Sequence, residues 1–146
     1  MTTAYSELIR PMPLQEKLKL GREIVGTYAL ARWRLRRHDL PTALAAMRER
    51  YADCPSAFDD PLAEKYAAVR LGRAIGRTLS ILPFDSKCLV RSLVLAELLA
   101  RRGIESRVVI GVKPGPSFGA HAWVESIDGQ ALLEPLAHEH HRLVEI

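Results

Sequence analysis

Apolar residues recur at helical spacing through most of the chain and at strand spacing near its end. Leu20, Ile24, Thr27, Ala31 and Leu35 fall on one face of a helical stretch predicted over residues 14–37, as one helix or two, with Gly21 and Gly26 as weak points. His38–Pro41 is a break. Pro41 also suits the first turn of a next helix, whose inward stripe is Leu40, Leu44, Met47 and Tyr51. A loop rich in Asp and Pro covers residues 53–61. A third helix follows over residues 62–79, with Ala68, Leu71, Ile75 and Leu79 inward, and Pro83 breaks the chain after it. Asp85 and Ser86 are N-cap residues for a helix over residues 87–102. That helix is apolar nearly all round, so it is predicted to be central and buried. Arg101, Arg102 and Gly103 are its stop signals.

Beyond Gly103 the period changes to two. Val108, Ile110 and Val112 alternate in a strand over about residues 105–112. A Pro/Gly loop leads to a second strand over residues 120–127. Asp128-Gly129 signals a hairpin into a return strand over residues 130–134, and a short strand over 142–146 ends the chain. The expected class is α+β. Residues 1–79 form a helical part behind a loose arm, 1–13. Residues 80–146 hold a helix packed on a small antiparallel sheet, and the two parts make one compact domain.

Composition narrows the setting. A chain of 146 residues suits one domain and can bury a core without staples. No apolar run approaches the ~20 residues of a membrane span, and residues 1–10 lack a signal peptide's apolar centre, so a cytoplasmic protein is expected. Two cysteines, Cys54 and Cys88, are then free thiols. The net charge is +4, but residues 1–50 hold ten Lys/Arg against five Asp/Glu. The excess centres on Arg32, Arg34, Arg36 and Arg37, read as a solvated helix face; Trp33 alone does not make the aromatic series that single-strand nucleic-acid binding needs. The exposed parts of these helices, Arg34 and Arg36 included, could dock a protein partner. His138, His140 and His141 read as a solvated tail rather than a metal site, and Cys54 as incidental.

Cys88 opens the buried helix, where unpaired first-turn amides and the positive helix end suit a nucleophilic thiolate. His121 lies on the second strand, and alternation puts it on one face with Trp123 and Glu125. If Asp128-Gly129 is a two-residue turn, Ile127 pairs with Gln130 and Trp123 with Glu134. Glu134 is then a diagonal neighbour of His121, roughly 7–8 Å away at the backbone. Glu125 lies four residues along the same strand, about 13 Å away, so Glu134 is the better acid. The three form a Cys–His–acid set, in which His121 takes the thiol proton, Glu134 orients the ring and the thiolate attacks a carbonyl. The Cys88 amide offers one oxyanion donor; Ser86 and Trp123 are candidates for the second. Cofactors and metals are not called for.

The run Cys88–Gly103, then Val108–Val112, Ala120–Glu125 and Asp128-Gly129, resembles the transglutaminase-like cysteine proteases of lasso-peptide biosynthesis. These are standalone leader peptidases, similar to the C-terminal half of the microcin-processing protein. The likeness covers residues 80–136 closely. It implies a transglutaminase-like, papain-like core that removes the leader from a ribosomally made precursor peptide. It implies as partners a leader-recognition protein and an ATP-using macrolactam synthetase that closes the ring. The family's nucleophile falls on Cys88, its base on His121, and its acid, usually Asp, on Glu134. Arg91 and Ser92 match the pattern as helix anchors. Two other readings share the residues: acyl transfer to an amine, or amide hydrolysis, by a transglutaminase-like enzyme, and a non-catalytic partner-binding module.

Overall fold

The computed structural model describes residues 10–83, 88–116, 119–132 and 141–146. Within these described residues four helices precede a three-stranded antiparallel sheet, an α+β arrangement. Helix α1 spans Leu14–Arg37 without a break, and its inward stripe runs on past Gly21 and Gly26. Helix α2, Leu40–Tyr51, starts as its sequence directs: Asp39 caps it by accepting from the Thr42 N–H at 3.2 Å, and Pro41 fills its first turn. Helix α3 is Pro61–Ile81, capped by Asp60, and runs two residues beyond the predicted end.

Helix α4, Cys88–Arg101, is the hub, with every residue from Ser92 to Leu99 buried. It packs against α1, α2, α3 and the sheet. Its end is a Schellman turn: the Ile104 N–H donates to the Leu99 carbonyl and the Gly103 N–H to that of Ala100. Gly103 takes φ +68°, and a Cβ there would lie 2.3 Å from the Pro55 carbonyl, so glycine is required twice over.

Strands β1, Ser106–Lys113, β2, Gly119–Ser126, and β3, His141–Glu145, order as β2-β1-β3. Val108 and Val124 join the main core with Ile24, Leu44, Ile75 and Leu95. Their neighbours Val109 and Trp123 point the other way and form a second small cluster. Both faces of the sheet's centre are therefore buried.

The hairpin after β2 differs from expectation. The Ser126 N–H donates to the Gln130 carbonyl and Glu125 bridges Ala131, so three residues turn the chain, with Gly129 at φ +83°. The predicted Ile127–Gln130 pairing is off by one, and such a slip exchanges the faces of a return strand. The turn is held instead by the Ser126 hydroxyl on Asp128 and by Lys65 of α3, 3.1 Å from Asp128. Gly72 completes this junction, since a Cβ there would come within 2.3 Å of the Leu132 carbonyl.

The basic stretch of α1 is only partly a solvated face. Arg34 turns inward to Glu97 at 2.9 Å, and Glu97 also accepts from Arg101 at 3.0 Å and the Tyr51 hydroxyl at 3.3 Å. Glu97 is 2% exposed, so Arg34 is a core counter-ion and not a docking residue. Arg101 and Arg102 reach Glu23 of α1 at 3.6 and 2.9 Å, fastening the two helices at a second point.

Candidate active site

Cys88 is the first residue of α4 and is half-buried. A sulfur at that position neighbours N–H groups that no helical carbonyl satisfies. Asp85 and Ser86, the expected caps, lie outside the described residues, and so does Ser86 as an oxyanion donor.

His121 is the third residue of β2, opposite Gly111 of β1, and its Nε2 is shielded from solvent. Alternation along β2 gives the shared face expected of His121, Trp123 and Glu125. The His121 and Trp123 rings lie 6.1 Å apart with 22° between their planes. The Trp123 indole donates to Glu125 Oε1 at 2.7 Å, and Arg142 of β3 holds the other carboxylate oxygen. Trp123 and Glu125 are both buried, at 1% and 5% exposure. The indole N–H is thereby engaged, which removes Trp123 as an oxyanion donor.

The room for this indole comes from Gly111. A Cβ there would lie 2.7 Å from Trp123 Cη2 and 2.9 Å from the His141 carbonyl, so only glycine lets the ring lie across β1. The chain Arg142–Glu125–Trp123 thus fixes the surface on which the imidazole rests. Sequence spacing could have suggested the Trp123–Glu125 bond, two residues apart on one strand. Arg142 and Gly111 carried no such signal, because β3 and β1 meet only through the sheet. The hydrogen bond to Glu125 raises the pKa of Arg142, keeping it cationic beside the carboxylate.

Glu134, the expected acid, lies outside the described residues, as do His138 and His140. The register that pointed to Glu134 is not the one observed at the turn, so its assignment rests on family resemblance. His141 opens β3 opposite Val112. Among the described residues no cluster of His, Cys, Asp and Glu could hold a metal, and no helix is long and apolar enough to cross a membrane. A groove of about 480 Å³ runs past Met47, Tyr51, Cys54, Ala100 and Ile104, at the end of α4 opposite Cys88.

A cysteine heading a buried helix and a histidine on a strand packed against it suit thiol chemistry. The chain belongs to the transglutaminase-like superfamily, whose family model matches residues 25–146. That superfamily is generally catalytic and includes cysteine peptidases and acyltransferases. No curated protein and no solved structure shows a significant match to the chain.

Proposed function

We propose that the chain is a cytoplasmic cysteine peptidase that removes the leader from a ribosomally made lasso-peptide precursor, with Cys88 as nucleophile, His121 as base and Glu134 as the orienting acid. The observation that carries the pairing is one of length. Helix α4 has 14 residues and rises about 21 Å, while the eight residues of β1 span about 26 Å. The chain reverses at Gly103 and β1 packs along α4, so the far end of β1 returns to the level of Cys88. Gly111 lies near that far end and pairs with His121, so in this reading the backbone at His121 comes to the level of Cys88, with the ring on the face of β2 that carries Trp123.

In this reading His121 accepts the Cys88 proton as the sulfur attacks the scissile carbonyl. The oxyanion faces the first-turn amides of α4. The imidazolium then protonates the departing amine as the C–N bond breaks, leaving a thioester on Cys88. Water, deprotonated by His121, attacks the thioester, releasing the leader carboxylate and restoring the thiol. The freed amine is what a macrolactam synthetase needs, and a leader-recognition protein would deliver the precursor. The same thioester passed to an amine would make the chain an acyltransferase.

The test is mass spectrometry of a precursor peptide incubated with the chain and its leader-recognition protein. Cleavage to a leader acid and a core amine, lost in Cys88→Ala and in His121→Ala while both variants keep the wild-type circular dichroism, supports the reading. Cleavage that persists in Cys88→Ala overturns it, and an amide product with an added amine selects acyl transfer.

A further inference from the structure

We propose that the solvent side of α1 is a docking face for a separate protein that presents an acidic amphipathic helix. Helix α1 carries two stripes. One, through Leu20, Ile24, Tyr28, Ala31 and Leu35, meets the core. The other runs Leu14, Leu18, Val25, Ala29 and Trp33, with the large members 40–72% exposed. These positions recur at steps of four or seven residues, so they form one ridge about 28 Å long on the outer side of the helix. Gly21 lies in the same row with open space where a side chain would stand, a shallow seat for an opposing ridge.

Charge selects the occupant. Helix α1 has seven Lys/Arg and two Glu, a balance of +5 against +4 for the whole chain. Its inward charges are satisfied: Arg34 by Glu97, and Glu23 by Arg101 and Arg102. The outward ones are Glu16, Lys17, Lys19, Arg22, Arg32, Arg36 and Arg37, and among the described residues none of the four arginines forms an ion pair. Arg37 rests on Trp33, which places its guanidinium beside the apolar ridge, while Arg32 lies over Tyr28 of the inward stripe. Cations thus flank the apolar ridge towards both of its ends, Lys17, Lys19 and Arg22 at one and Arg32, Arg36 and Arg37 at the other. A helix with carboxylates flanking an apolar stripe repeats at the same interval and can pair each guanidinium. A bilayer has no such spacing, nucleic acid has no use for Leu14, Leu18 and Val25, and a second copy would bring +5 against +5.

This inference is independent of the peptidase reading, because Cys88→Ala should leave docking unchanged. Trp33 is the reporter, since Trp123 is buried and Trp33 is half exposed. The full chain is titrated with a Trp-free helical peptide of Leu, Ala and Glu, roughly 20 residues long, and with the same peptide carrying Lys for Glu. The expected result is a saturable shift in Trp33 emission, at least tenfold tighter for the acidic peptide and weakened by salt. The double variant Leu18→Glu/Arg36→Glu should lose that affinity tenfold or more with an unchanged melting curve. Equal or absent binding of the two peptides overturns the proposal. So does equally tight binding to vesicles of one part phosphatidylserine to three of phosphatidylcholine, or to a DNA duplex. A tenfold gain in affinity on removing residues 1–9 would make the chain's own arm the occupant. Dimerisation abolished by the double variant would make it a second copy. Either result overturns the proposal too.

Discussion

Replacing Glu97 by Ala should destabilise the chain by about 3 kcal/mol. The carboxylate is 2% exposed and accepts hydrogen bonds from Arg34, Arg101 and Tyr51. Removing one member of a buried ionic group commonly costs about 3–5 kcal/mol, because the partner charge stays desolvated. The lower end applies here. Arg101 is 28% exposed and already touches Glu23 at 3.6 Å, so it has a second counter-ion. Arg34 is 14% exposed and pairs with Glu97, so it bears most of the loss. At roughly 3 °C per kcal/mol for a chain of this size, Tm should fall by about 9 °C. Glu97→Gln keeps an acceptor but not the charge, and should cost about half as much. The double variant Arg34→Met/Glu97→Leu removes the charges that face each other. It should recover to within about 1 kcal/mol of the wild type. Urea unfolding followed by circular dichroism measures all of these. A Glu97→Ala cost under 1 kcal/mol, or a double variant that merely adds the two single losses, would refute the account.

Gly111→Ala should cost about 1–3 kcal/mol through overpacking against Trp123, and should slow alkylation of Cys88 if the indole positions His121; unchanged near-UV circular dichroism would argue against it. Glu125→Ala strands the Trp123 indole N–H and should cost about 1–3 kcal/mol, read by denaturant unfolding and a change in Trp123 emission. The pKa of Asp39 is lowered by its hydrogen bond from Thr42. Its contribution is therefore present above the ordinary carboxylate range and is lost as pH falls through the lowered value. Unfolding titrations from neutral pH into acid should show a shallower loss for Asp39→Asn than for wild type.

The four helices, Pro41 in the first turn of α2 and the stop at Gly103 follow from local pattern, and the structure reproduces them to within a few residues. The same holds for β1, β2 and β3, and for the shared face of His121, Trp123 and Glu125. These features depend on neighbours one to four positions apart, which a sequence displays directly. What tertiary structure decided are the contacts whose partners lie far apart in the chain. Arg34 reads as one more surface cation until Glu97, 63 residues away, receives it. Gly111 looks like any strand glycine until Trp123 lies across it. Arg142 acquires a role only when β3 docks on β1 and presents it to Glu125. The turn after β2 changed by one residue because Ser126, Asp128 and Lys65 together stabilise a longer reversal than Asp128-Gly129 alone implies. Periodicity encodes which way a side chain faces; only packing decides what it meets there.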